Sequence, residues 1–351
     1  MFRKCVLYEH SITSETVLVI YYAYVNTVCW FGWAATQISH LSMITATSSH
    51  REDWYSLTSS QYKGTIFANF VVMALFAIVL SNEKKVLPSD NSKFEEIDLW
   101  VLIIGAGTAL TFHICFRLEE RVPDVDQPEK TSQKSVINNC YWFGQKKFYF
   151  VALVYTMCRL FYTVAQTFMP IYVEQTLNMS ARNIAIIPAL MYLGGLLVSL
   201  SSQKLIKKCG LENLLACCSC FGISLAIWIF LGYGKNFVDY QVYPMAMLVG
   251  MVQSLLQICS LDQIALLVED QLDGSSFVYG FMSFTDKLVN GITIYFLEKF
   301  APSRHSLLEG DYYKDMMAAT FFLTLTLVGL VSSIQSGLMY FNKVDFQATQ
   351  K

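Results

Sequence analysis

Asp286 and Lys287 are neighbours in the middle of SFVYGFMSFTDKLVNGITIYFL, residues 276–297. This stretch is otherwise apolar and long enough to cross a bilayer, since ~20 helical residues at ~1.5 Å rise cover a ~30 Å hydrocarbon core. Even the lowest scales put a central Asp or Lys at roughly 2.5 to 3.5 kcal/mol, so the pair should face a protein-lined cavity and not lipid. Tyr279, Ser283, Asp286 and Asn290 recur at helical spacing, which stacks them on one face with Lys287 beside it. A titratable acid or base in such a low-dielectric place can couple proton or cation binding to the binding of a solute. Adjacent helical residues point about a hundred degrees apart, so Asp286 and Lys287 are each expected to find a partner on another helix. Arg159 is the candidate for Asp286, and no acid in the other apolar stretches stands out for Lys287.

Further polar rows support the same chemistry. Arg159, Tyr162, Thr163 and Gln166 share one helical face, and Pro170 follows where it can loosen the outer end of that helix. A lone Arg can snorkel to an interface, but Arg159 lies about ten residues in from the basic end of its span, which favours a cavity position. Asn26, Trp30, Trp33, Gln37 and His40 combine rings with amides, a mixture that can cover and hydrogen-bond a small polar solute. Gln253, Gln257 and Ser260 form another row, with Asp262 and Gln263 close to its end; hydrogen bonding between helices is the commoner purpose of such residues. The candidate solute and ion path is therefore Arg159, Tyr162, Gln166, Asp286, Lys287, Asn290, Gln37, Trp33 and Asn26.

The elements that must position these residues are membrane helices. With 54% hydrophobic, 15% aromatic and only 15% charged residues, the chain reads as an all-α integral membrane protein in a lipid bilayer. Nine apolar runs are candidate spans: about 17–39, 65–80, 98–116, 149–173, 184–202, 211–232, 240–264, 276–298 and 316–341. The second is short. A polar segment with two prolines, 117–148, separates three spans in 1–116 from six in 149–351. Basic residues in the loops place this linker and the C-terminus in the cytosol. Asn178, Met179 and Ser180 form a glycosylation sequon on the opposite side.

Several functions are set aside at this stage. A net charge of −2 offers no clustered basic face for nucleic acid. The ten cysteines fall mostly in apolar runs as small packing groups, and the Cys217/Cys220 spacing has no His or second pair beside it for zinc. No cofactor is implied. Gly105-Ala106-Gly107 and Gly194-Gly195 read as close helix contacts and not phosphate loops, because no strand precedes them. No Ser-His-Asp set or carboxylate pair stands out, so nothing points to an enzyme. The N-terminal MFRKCVLYEHSITSET is polar for too long to read as a signal peptide.

SFVYGFMSFTDKLVNG (276–291), the preceding SLDQIALLVEDQLDG, and FGWAATQISHLSMI (31–44) resemble the glycoside-pentoside-hexuronide:cation symporter branch of the major facilitator superfamily, as do YTMCRLFYTVAQTFMPIYV and IPALMYLGG. The resemblance implies a twelve-helix fold of two six-span halves built from three-span repeats and working by alternating access. Against that pattern the chain reads as the twelve-helix architecture without its first three helices. SLTSSQYKGTIFANF stands where the family has a Leu-Arg-containing stretch. The branch implies cation-coupled sugar symport, with H+ or Na+ as the coupling cation and a lysine matching Lys287 facing the central cavity. Members nearest to this sequence are associated with lysosomes and melanosomes, where import of cysteine into the lumen is the implied activity. A truncated, non-transporting isoform is the remaining reading.

Overall fold

The computed structural model describes residues 15–47, 51–79, 92–115, 140–269, 274–302 and 309–349. Every regular element among them is helical: α1 (Glu15–Thr47), α2 (Arg51–Val79), α3 (Ser92–Cys115), α4 (Cys140–Phe143), α5 (Lys146–Ile171), α6 (Ala181–Ser199), α7 (Ser202–Cys209), α8 (Leu211–Leu231), α9 (Val242–Leu267), α10 (Ser275–Lys299) and α11 (Glu309–Thr349). The nine apolar runs each overlap a long helix, several running past its end. Five segments are both long and apolar enough to cross a membrane: Lys146–Thr176, Arg182–Ser199, Leu211–Leu231, Phe237–Leu267 and Asp311–Gly337. Helix α10 has the length but not the apolarity, because its polar row lowers its mean hydropathy. Most of the linker, residues 116–139, lies outside the described residues, as does the side chain of His40.

Two compact units divide the chain. One holds the first half of α1, up to Trp33, together with α3. Many of its described apolar side chains, among them Ile20, Tyr24, Trp30 and Ile103, are exposed on the protein, a surface suited to acyl chains. The other unit holds the rest of α1, α2 and everything from Asn139 onward.

In that second unit, α9 is the central post and packs on α6, α5, α8 and α2. Small residues set its closest crossing. A Cβ built on Gly250 would collide with the Met191 backbone, and one on Gly194 or Gly195 would collide with the Met247 carbonyl or the Ser254 hydroxyl. Gly194 and Gly195 are thus the close contact their sequence suggested. The Gly105/Gly107 pair is not: among the described residues nothing lies within 4 Å of a Cβ at either position.

Helix α2 is far longer than the run at 65–80. Its polar first half still has an inner face, since Trp54, Thr58, Tyr62 and Ile66 recur every fourth residue and all are buried. Ser59 on this helix bonds the Ser202 hydroxyl at 3.2 Å, and the Tyr62 hydroxyl meets Ser254 of α9 at 3.3 Å. Pro170, which cannot donate to the helical ladder, ends the regular part of α5, and a wider π turn follows at Tyr172–Thr176. Gly210, at φ 78°, joins α7 to α8 in a conformation that suits glycine. Cys158, Cys218 and Cys259 are buried in the core, while Cys217 and Cys220 are exposed on α8. Lys314 is buried in α11 under the Tyr233 hydroxyl and 3.3 Å from Asp311.

Candidate solute-binding site

Helices α5, α9 and α10 bring one charged group together in the second unit. The row on α10 faces inward as its spacing predicts: Tyr279, Ser283, Asp286 and Asn290 are all buried. Asp286 is completely covered and accepts three hydrogen bonds. Arg159 Nε on α5 donates to Oδ2 at 3.2 Å, Lys287 Nζ donates to the same oxygen at 3.1 Å, and the Asn290 amide, one turn on, donates to Oδ1. An ionised carboxylate in a dry place demands such a set, since an uncompensated buried charge costs several kcal/mol.

The Lys287 pairing corrects the expectation that both neighbours need partners on other helices. Their Cβ atoms diverge, but four methylenes let the Lys287 ammonium curl back to the acid beside it. The acid that Lys287 appeared to lack is therefore Asp286 itself. Unlike Asp286, Lys287 keeps 39% of its side chain open.

The Arg159 guanidinium is shared. Nη1 donates to Gln257 Oε1 of α9 at 3.2 Å, and the Tyr162 ring, one turn further along α5, lies 5.4 Å from the guanidinium carbon. Tyr162 in turn lies beside Tyr192 of α6. Only 18% of the Arg159 side chain is exposed, and its guanidinium is turned to Asp286 and Gln257 and does not snorkel. Gln166, further along the same face, has a buried Nε2 with no hydrogen bond. Two cations stand against one carboxylate in the cluster, and among the described residues no second acid is bonded to either. The arrangement can accept one further negative group, and the half-open Lys287 is where such a group could arrive.

Of the candidate path residues, Arg159, Tyr162, Asp286, Lys287 and Asn290 converge. Gln37 lies in the same unit with its Oε1 buried and without a hydrogen bond. Asn26 and Trp33 belong to the other unit and are exposed there. Gln257, which the sequence suggested for hydrogen bonding between helices, has that role with Arg159 as its partner. Tyr192 was not anticipated; its spacing of one turn from Pro188 carried no polar row to mark it.

The sequence model of the Major Facilitator Superfamily matches residues 55–294. A Homo sapiens relative named "Major facilitator superfamily domain-containing protein 12" is 31% identical over 313 residues, covering 83% of this chain and 64% of the relative. Its namesake from Equus caballus is 30% identical over 332 residues, covering 88% and 68%. The chain thus spans about two thirds of the length of these relatives. Among solved structures, a bacterial homologue of the iron transporter ferroportin in the outward-facing state superposes with a TM-score of 0.60 at 15% identity, over 93% of this chain and 76% of that one. At that identity the likeness is one of fold.

Proposed function

Because the chain belongs to the major facilitator superfamily, we propose that it is a secondary-active carrier for a small zwitterionic metabolite, working by alternating access. Cysteine carried into lysosomes and melanosomes is the substrate and place that the family resemblance suggests. The observation that carries the proposal is the unbalanced Arg159–Asp286–Lys287 cluster. An amino-acid carboxylate would supply the missing negative charge at Lys287, and its backbone and side chain would lie against the tyrosines and amides of α5, α6 and α9. Charge-assisted hydrogen bonds of this type are among the strong ones a site can offer. A neutral sugar would leave the extra positive charge unmet, so the cluster favours the amino acid over the cation-coupled sugar reading. In domain terms we take 1–116 as the part before the linker and 149–351 as a six-helix bundle.

The decisive experiment is uptake of labelled cysteine, beside labelled sugars, into proteoliposomes carrying the purified 351-residue chain. Saturable cysteine uptake with no sugar uptake supports the reading. Saturable sugar uptake overturns the amino-acid assignment, and no uptake of either supports a non-transporting isoform.

A further inference from the structure

Among its described residues the second unit contains two aspartates that are completely covered by protein, and they are neutralised in different ways. Asp286 has two cations and an amide. Asp262, on α9, has none of these: neither of its oxygens makes a hydrogen bond, and no cation stands beside it among the described residues. It faces Thr58 of α2. Its α9 neighbours Leu261, Ile264 and Ala265 belong to an apolar cluster shared with Trp54 of α2 and with Val278 and Tyr279 of α10. Among the described residues, Cys259, one turn earlier on α9, and the Tyr279 phenol on α10 are close enough to feel its charge, and neither is a base.

A carboxylate cannot remain charged in such surroundings without a partner, because desolvation without compensation is among the largest penalties a fold can carry. Two remedies exist. A hard metal cation takes about six oxygen ligands, whereas beyond the carboxylate itself this site offers one hydroxyl and one phenol. A proton needs only the carboxyl. We propose that Asp262 is a proton-binding site at the contact of α2 with α9: it is held as the neutral acid while the two helices are closed over it and releases its proton when they part.

Parting of α2 from α9 would let water reach the carboxyl. Its O–H bond would then break, the proton passing to water and the electron pair staying on the carboxylate, which water can solvate. Closure would reverse the step. Such a site couples proton movement to conformation while lying apart from the Arg159–Asp286–Lys287 cluster. The release step rests on the carrier reading above, but the occupied site does not.

Infrared difference spectroscopy of the purified full chain, wild type against Asp262→Asn at neutral pH, tests the occupied site. The isosteric amide should fold, and the difference should contain a carboxylic-acid carbonyl band that Asp286→Asn leaves in place. A difference containing only ionised carboxylate bands overturns the proposal. In proteoliposomes, uptake of labelled cysteine by wild type should rise at least several-fold when a pH gradient is imposed, and Asp262→Asn should lose that response while keeping cysteine exchange across equal pH. If the band disappears in Asp262→Asn but the gradient response persists, the release step is wrong. If wild type shows no uptake at all, the carrier reading fails and the infrared comparison alone decides the proton site.

Discussion

Arg159 Nε lies 3.2 Å from Asp286 Oδ2, an ion pair that ties α5 to α10 across 127 residues of sequence. Among the described residues α5 is the most extensive packing partner of helix α10. The pair therefore fixes the position of the helix that carries Lys287 as well as balancing charge. Positioning and charge balance make different predictions.

Arg159→Met leaves Asp286 buried with only Lys287 and Asn290 for company. Breaking one side of a buried pair costs about 3 to 5 kcal/mol, so the thermal midpoint of the detergent-solubilised variant should fall sharply. Arg159→Met/Asp286→Leu removes both charges and should recover much of the loss, since apolar replacement of a whole buried pair is often neutral. Thermal unfolding of wild type and the two variants checks this. A double variant no more stable than the single would mean that the pair does more than balance charge.

Lys287 predicts the opposite pattern. Its half-open side chain should contribute under ~1 kcal/mol to folding, so Lys287→Ala should keep its thermal midpoint and reach its membrane. Uptake of labelled cysteine should nevertheless be lost, because the remaining cation, Arg159, is already committed to Asp286 and Gln257. Uptake and thermal unfolding measured on one preparation separate the two effects.

How far the sequence could carry this site depended on what its periodicity could encode. Spacing put Asp286 and Asn290 on one face, because helical geometry fixes the direction of each Cβ, and the depth of Arg159 within its span argued against snorkelling. It could not foresee Lys287 folding back onto Asp286, because the reach of a long flexible stem is not set by its Cβ. The hydropathy scan shortened α2 because Ser, Thr and Tyr count as polar, although Trp54, Thr58, Tyr62 and Ile66 already repeat every fourth residue. Two glycine pairs looked alike, yet among the described residues only Gly194/Gly195 meets another helix. A contact needs a partner at the right height, and one sequence does not say which helix that is. Gly250, a lone glycine in an apolar run, carried no signal at all.

Gly250→Ala should be among the most damaging single-methyl changes in the chain. The new Cβ would collide with the Met191 backbone, which cannot swing aside as a side chain can. Helices α6 and α9 would have to separate, and forced overpacking typically costs about 1 to 3 kcal/mol. Among the described residues Gly280→Ala and Gly291→Ala on α10 have nothing within 4 Å of the added methyl and should leave the thermal midpoint unchanged or raise it slightly, since alanine favours a helix by up to ~1 kcal/mol over glycine. Thermal unfolding of the three variants side by side gives the comparison.

Gln257→Glu tests the charge argument while keeping the side-chain oxygen that Arg159 contacts. The substitution is nearly isosteric, and its carboxylate would meet Arg159 Nη1 where the amide oxygen now lies at 3.2 Å. A charge-assisted bond replaces a half-neutral one, so folding should survive. The cluster would then hold two acids for its two cations, and nothing would be left over for a solute carboxylate. Cysteine uptake should weaken at least tenfold through a higher KM, equivalent to about 1.4 kcal/mol of lost binding. A neutral sugar, if the protein carried one, would be affected far less. Unchanged cysteine KM in Gln257→Glu would mean that the solute carboxylate binds away from Arg159 and Lys287, and the unpaired positive charge would need another explanation.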